Sequence, residues 1–211
     1  MDVLDRAREL YEKKLEALYL ALHSNPEIAF NEIQTASRLR QELTKAGYVV
    51  TTGIGETGVV GVMENGPGKT LMIRTDMDAL RLEEKTSLAH SNKGFYVDEL
   101  GKRHLLMHAC GHDVHMTAFI GAAQMMAQKK SEWKGTLMML AQPAEELVAG
   151  ARAMLQDSKF RTLSKPDMAL ALHVYPEEPC GRIVYTKGTV CKAMDRFQIL
   201  VKGVQGKTSS T

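Results

Sequence analysis

The sequence predicts an α/β protein: a three-layer α/β/α sandwich on a mostly parallel mixed sheet, truncated before the fold is complete. Two observations predict this class. First, strand-like runs alternate along the chain with segments whose apolar residues recur every three or four positions, which is typical of a sheet with helices on both faces. Second, the runs at 136–141 and 168–172 are almost wholly apolar, as expected of strands buried on both sides.

Two helices are predicted before the first strand. Residues 2–22 carry apolar side chains at helical spacing, and Asn25-Pro26 ends this helix. A second helix is predicted to begin near Asn31, as its N-cap, and to end at Gly47. Strands are then predicted at 48–52, 58–64 and 70–75.

Loops and further helices complete the predicted order. A polar stretch at 81–105 is predicted to be a loop or hairpin, and a helix follows Asp113. Another helix is predicted at 150–158. The segment 195–203 has a strand pattern with no partner after it. Because a lone strand is not a domain, we expect this sequence to be part of a longer protein.

Composition limits the class of protein. The 211 residues are 44% hydrophobic and 25% charged with a net charge of +2, which is typical of an ordinary globular protein. Neither a nucleic-acid partner nor a membrane partner is expected. The N-terminus shows no signal-peptide pattern, so a cytoplasmic location is expected. Three cysteines without CxxC spacing do not predict a disulfide framework.

Polar side chains follow three of the predicted strands, at the point where each strand ends. In open α/β sheets ligands bind beyond the carboxyl ends of the strands, so these groups are expected to converge on one crevice. They are Asp76 and Asp78 after 70–75, Glu145 and Glu146 after 136–141, and His173 after 168–172.

A fourth contribution comes from HACGHDVH at 108–115, which has three histidines, a cysteine and an aspartate in eight residues. Cys110 and His112 can bind one divalent ion if this segment is extended, because alternate side chains then point the same way. Glu146 and His173 would add oxygen and nitrogen ligands. The adjacent Glu145 is then placed to accept a proton from a water activated by the metal.

Each residue alone also has a structural explanation. His173 could be a hydrogen-bonded residue at a strand end, and Glu145-Glu146 the solvated start of a helix. Cys110 could be a small buried apolar side chain, and His23 is interpreted as a helix-end residue. Without a metal site, the separate structural explanations for the residues at the strand ends and in HACGHDVH would all have to be true at once. A metal site is therefore favoured.

Five motifs, in order, resemble those of the aminoacylase/carboxypeptidase metallopeptidase superfamily. The resemblance covers residues 1 to about 200 and is greatest to the branch of hippurate hydrolase, N-acyl-amino-acid amidohydrolases and auxin-conjugate hydrolases. The motifs are HSNPEIAFNE (23–32), RTDMDAL (74–80), MHACGHDVH (107–115), QPAEE (142–146) and ALHVYPEEPCGRI (171–183).

The resemblance implies two divalent metal ions, which are zinc, manganese, cobalt or nickel in the family. The implied ligands are Cys110, His112, Glu146 and His173. Glu145 is implied as the general base that also returns a proton to the departing amine. Asp78 is implied as an acid that orients a metal ligand without binding the metal itself. Asp76 stands where other branches carry a ligand histidine and is not counted as one.

The implied activity is hydrolysis of the amide bond of N-acyl amino acids, with a dipeptidase or carboxypeptidase as the alternative. An inactive metal-binding fragment is the alternative outside enzymes. By the resemblance, residues 1–192 are the N-terminal part of the metal-binding catalytic domain, and 193–211 begin a lid and dimerisation domain that is otherwise absent. The full-length protein is expected to be a homodimer.

Overall fold

The computed structural model describes residues 2–190, 197, 199–200 and 202–203. The chain divides into two compact units, Met1–Val174 and Tyr175–Thr211. The second unit carries an ion pair between Arg182 and Glu178. Residues 195, 196, 198 and 201 of the strand predicted at 195–203 lie outside the described residues, and the other five form no strand.

Elements of the first unit follow the predicted order. The helices are α1 Val3–Leu10, α2 Glu16–His23, α3 Ile33–Lys45, α4 His112–Gln128, α5 Gly150–Gln156 and α6 Ser158–Arg161, with a π-helical turn at Tyr11–Leu15 and a 3-10 turn at Lys130–Glu132. The strands are β1 Val49–Ile54, β2 Gly58–Asn65, β3 Thr70–Asp76, β4 Phe95–Val97, β5 Arg103–Leu105, β6 Gly135–Gln142 and β7 Met168–Ala171.

The main sheet is mixed, with strand order β1-β2-β6-β3-β7. β1–β2 and β2–β6 pair antiparallel, whereas β3 pairs parallel with both β6 and β7. In the register of β3 and β6, Asp76 lies opposite Gln142, so these two strands end level with each other. The residues that follow them therefore emerge at the same edge of the sheet.

Helices cover both faces of this sheet, which confirms the three-layer class. Alternation along β2 turns Val59 and Met63 to one face, where they pack with α2, α3 and α4. Val60 turns to the other face and packs with Met154 of α5. Burying side chains of this size stabilises the fold by roughly 1.5–3 kcal/mol each. The prediction of a hairpin within 81–105 is also confirmed, by the antiparallel pair β4–β5.

The start of α3 differs from its prediction. Asn31 was expected to cap the helix, but α3 begins at Ile33 and the Glu27 carboxylate accepts the free N–H groups of Gln34 and Thr35 at 3.0 and 2.8 Å. The prediction of the N-cap is wrong, because an acid from the preceding turn satisfies these donors in place of the residue at the helix boundary. Gly47 ends the helix as predicted, in a left-handed conformation (φ 90°).

The prediction of a buried strand at 168–172 is correct for the strand and wrong for its burial. β7 forms where expected, yet Met168 and Leu170 are 53% and 57% exposed. The physical reason is packing: among the described residues β7 is the outermost strand beyond β3, and no helix there packs closely against it. None of the helices in the described part of the chain combines the length and apolar character needed to cross a membrane.

Candidate metal centre

A tight turn places Cys110 beside His112. The segment was expected to be extended, but Cys110 lies in a turn and His112 is the first residue of α4, so that premise is wrong. Gly111 between them is left-handed (φ 79°), and a Cβ there would lie 2.5 Å from Cγ2 of Val174. Glycine is therefore required both by the backbone and by the close approach of Val174.

His112 is buried, with 1% of its surface exposed. A hydrogen bond on the side away from the crevice fixes the orientation of its ring. Its Nδ1 lies 2.7 Å from the backbone carbonyl of Asp78. Because a carbonyl only accepts, Nδ1 is the donor, and the other nitrogen, Nε2, is turned to the crevice. There Nε2 has no hydrogen-bond partner among the described residues and faces carboxylate oxygens of Asp76, Glu145 and Glu146 at 3.8, 3.9 and 4.0 Å.

Two groups of ligand atoms surround this nitrogen. Those of Cys110, His112 and Glu146 lie within 4.8 Å of one another, and so do those of His112, His115 and His173. The fold therefore brings the other three predicted ligands, Cys110, Glu146 and His173, around His112. His115 is an addition to the residues selected from the sequence.

The donor set fits a divalent cation. Two ligand atoms bound to one ion at about 2.0–2.3 Å can lie up to about 4.5 Å apart, and Nε2 of His112 lies 4.0 Å from Oε1 of Glu146. Burial raises the pKa of the Cys110 thiol to about 12, and a hydrogen bond to Glu146 and the charges of Glu145 and Asp76 add to the effect. A cation would offset this negative surrounding and favour the thiolate.

Asp78 organises the turn that carries the two glutamates. Its carboxylate is 1% exposed and accepts the backbone N–H groups of Glu145 and Glu146 at 3.0 and 2.9 Å. The preceding N–H, that of Ala144, donates to the fully buried carboxylate of Glu32 at 2.8 Å. Burial raises the pKa of Glu32. Three successive N–H groups are thus satisfied by two acids from other parts of the chain.

The exposure of the candidate residues differs. The Glu145 side chain is 40% exposed and that of Glu146 is 19% exposed. His173 is exposed, and its Nδ1 contacts the carbonyl of Val174 at 2.6 Å. Glu145 therefore reaches both solvent and the nitrogen of His112, as a group that exchanges protons requires.

Asp76 and His115 were not selected as site residues, yet they form a buried pair in the same crevice. The Asp76 carboxylate lies 2.7 Å from Nδ1 of His115 and 2.7 Å from Nη1 of Arg74. Burial alone would raise the pKa of Asp76, but His115, His112 and Arg74 lower it to about 2. The spacing of His112 and His115, three residues apart at a helix start, is the sequence signal that could have indicated a shared face.

His23 was interpreted as a helix-end residue, and it is the last residue of α2, but the structure adds buried contacts that the sequence did not indicate. It is 6% exposed and lies between two acids: Nδ1 is 2.6 Å from Asp113 and Nε2 is 3.2 Å from Glu84. Burial lowers the pKa of His23, but the hydrogen bonds and charges of Asp113 and Glu84 outweigh it, so the net pKa is raised. This cluster joins α2 to the first turn of α4, next to His112.

Comparison with known proteins assigns the chain to a class of hydrolases. The family model described as peptidase family M20/M25/M40 matches residues 72–202. The chain belongs to this family.

Three relatives show the range of the family. Hippurate hydrolase of Campylobacter jejuni is 36% identical over 93% of this chain and 49% of its own length. N-acetylcysteine deacetylase of Bacillus subtilis is 34% identical over 95% of this chain and 50% of its own. The structure of a Bacillus subtilis dinuclear metal-binding peptidase of family M20 superimposes with a TM-score of 0.70 at 31% identity, covering 81% of this chain and 45% of that one. The chain spans about half the length of the curated relatives it matches.

Replacing Asp78 with Asn is expected to weaken both the fold and metal binding. An amide has one acceptor oxygen, whereas the two backbone N–H groups of Glu145 and Glu146 each need one. In the variant the amide NH₂ therefore faces one of these N–H groups, at a cost of about 1–3 kcal/mol. Metal affinity is expected to fall about 10- to 100-fold. Urea unfolding and competition with a chelating dye measure the two effects.

Asp98→Asn is the matched control for Asp78→Asn. Asp98 also accepts two backbone N–H groups, but both go to one oxygen, which Asn retains. Equal losses of metal affinity in the two variants would contradict the role of Asp78.

The stabilisation from His23 is expected to depend on pH. Its folded pKa lies above the ordinary 6.5, so the contribution is complete below pH 6.5 and is lost as pH rises through the folded pKa. Hydrogen bonds to charged groups contribute roughly 1.5–3 kcal/mol. His23→Gln should therefore lower the free energy of unfolding more at about pH 5.5 than at about pH 8.5. A loss that is the same at both pH values would show that the charge of His23 contributes nothing.

Proposed function

We propose that this chain provides the metal-binding part of an amidohydrolase that cleaves the amide bond of N-acyl amino acids. One observation carries the proposal: the thiol of Cys110, the imidazole of His112 and the carboxylate of Glu146 converge within 4.8 Å, beside the half-exposed carboxylate of Glu145. A site built only for storage of a metal needs no free base at its edge.

Two divalent ions are the proposed cofactor, with Cys110, His112, Glu146 and His173 as ligands from this chain. The mixed sulfur, nitrogen and oxygen donors are compatible with zinc, manganese, cobalt or nickel. When bound, the ions would polarise the amide carbonyl and acidify the attacking water. A dinuclear site is supported by the solved relative, whose description is a dinuclear metal-binding peptidase.

Glu145 is the proposed general base and acid. Its Oε2 lies 3.9 Å from Nε2 of His112. The Glu145 carboxylate is therefore close enough to the ligand cluster to accept a proton from the attacking water. Its exposed side then allows the proton to be delivered to the departing amine. Asp78 is proposed to act as a positioning residue, since it holds the backbone of Glu145 with its carboxylate and the His112 ring with its carbonyl.

The proposed substrate class rests on the names of two relatives, hippurate hydrolase and N-acetylcysteine deacetylase, which describe N-acyl amino acids as substrates. A dipeptidase or carboxypeptidase is the second candidate, because the solved relative is described as a peptidase. Homodimerisation of the full-length protein and a cytoplasmic location stay expectations from the sequence.

Glu145→Gln in the full-length protein is expected to lower kcat about 10²- to 10⁴-fold while metal content is unchanged, because the amide keeps the shape and loses the base. Hydrolysis of hippurate, N-acetyl amino acids and dipeptides is measured with the metal-loaded protein. Glu64→Gln, an exposed glutamate on β2, is the control and should retain full activity. No Glu145-dependent turnover on any of these substrates would refute the proposed activity, and turnover of dipeptides alone would favour the peptidase.

Bound metal is expected to protect Cys110 from alkylation. Coordination occupies the thiolate, so the rate of modification should fall at least about tenfold with zinc and recover with a chelator. Cys180 is an exposed free cysteine and supplies an internal control whose rate should not change. Mass spectrometry of the labelled peptides separates the two. Equal protection of both cysteines, or of neither, would argue against Cys110 as a ligand.

A further inference from the structure

Both ring nitrogens of His115 have hydrogen-bond partners in the structure. Nδ1 lies 2.7 Å from Oδ1 of Asp76, and Nε2 lies 2.9 Å from the backbone nitrogen of Val174. A backbone N–H can only donate, so Nε2 carries no proton and the ring proton lies on Nδ1, facing the carboxylate. The two partners together fix the tautomer of a ring that is 2% exposed.

Asp76 is itself held firmly. Its second oxygen accepts from Nη1 of Arg74 at 2.7 Å, and the remaining face of that guanidinium contacts Oε1 of Gln142 through Nε and Nη2 at 3.1 and 3.0 Å. Gln142 ends β6 and Asp76 ends β3, so this chain of hydrogen bonds is anchored on two adjacent strands. His115 extends it from the sheet to the segment after β7.

The backbone that His115 holds is next to a proposed ligand. Val174 directly follows His173, and β7, which precedes them, is an exposed outer strand. The Val174 side chain packs on Gly111, where no Cβ would fit, and the His115 and His173 rings lie 4.4 Å apart between centroids. The contacts of Val174 therefore determine where the His173 imidazole lies relative to the turn of Cys110 and His112.

We propose that His115 is a positioning residue: held by Asp76 in its Nδ1–H form, it accepts the Val174 amide and so places the His173 imidazole beside His112. The inference rests on the proposed function, in which His173 is a metal ligand. The competing role is direct coordination by His115, whose nitrogen lies within 4.8 Å of those of His112 and His173. That role requires the Val174 bond to break, because Nε2 has one lone pair.

His115→Gln and His115→Ala separate the two roles. A Gln amide oxygen can still accept the Val174 N–H but is a poor ligand for zinc or cobalt, whereas Ala can do neither. For a positioning residue, metal affinity should fall about 10- to 100-fold in the Ala variant and be largely restored in the Gln variant. His104→Ala, which removes a histidine paired with Asp98 in the β4–β5 hairpin, is the control and should leave affinity unchanged. Equal losses in the Gln and Ala variants, with one fewer imidazole around bound cobalt by X-ray absorption, would overturn the proposal in favour of coordination.

Two measurements on the metal-free chain test the hydrogen bond independently of any metal. The ¹⁵N shifts of the unaltered protein should show a protonated Nδ1 and an unprotonated Nε2 on His115. Hydrogen exchange at the Val174 amide should be about tenfold or more faster in His115→Ala than in the unaltered protein. A protonated Nε2, or exchange that does not change, would refute the proposal even if the variants bind metal poorly. If the unaltered protein binds no metal while both results hold, the proposed function fails and the His115–Val174 contact stands.

Discussion

The candidate site depends on three successive backbone N–H groups, those of Ala144, Glu145 and Glu146, and on the two buried acids that accept them. Ala144 takes a left-handed conformation (φ 47°) in the turn after β6, and the N–H groups of this turn donate to buried carboxylates instead of water. Leaving a buried donor without an acceptor costs about 1–3 kcal/mol, and three such donors would make the turn untenable. Glu32 and Asp78 remove this cost. Because they come from the start of α3 and the end of β3, the turn is fixed only when these elements have packed.

Asp78 links this requirement to the chemistry of the site. Its carboxylate holds the turn that presents the proposed base Glu145 and ligand Glu146, and its carbonyl holds Nδ1 of His112. One residue thus sets the backbone of two proposed groups and the ring orientation of a third. The parallel pairing of β3 and β6 makes this possible, since their level ends bring Asp78 and the turn together without a long loop. Distortion of this pairing would displace base and ligands at the same time.

Sequence patterns were sufficient for the order of the main elements and for the convergence of Cys110, His112, Glu146 and His173, because both follow from local periodicity and from the ends of apolar strands. Three features of the structure could not be predicted from sequence patterns. The cap of α3 comes from Glu27, and the acceptor of Ala144 comes from Glu32, 112 residues away. Glu27 lies outside the usual N-cap position, and Glu32 is distant in sequence, so neither acceptor follows from a local pattern. The exposure of β7 depends on its place in the sheet order, which apolar character alone does not give. Cys110 and His112 were paired through an extended segment, whereas a left-handed glycine and a helix start bring them together.

The two groups of ligand atoms share His112, and this restricts how ions can be assigned. Nδ1 of His112 is occupied by the carbonyl of Asp78, so only Nε2 remains, and one lone pair binds one ion. In the group of His112, His115 and His173, the Nε2 of His115 already accepts the Val174 N–H. The charges of Glu146, Glu145 and Asp76 lie close to the Cys110 thiol, so the group of Cys110, His112 and Glu146 has a negative surrounding that would favour a cation. In the proposed function, His112 would therefore belong with Cys110 and Glu146 as ligands of one ion. His173 would serve the other ion, and the His115–Val174 contact would hold its imidazole in place.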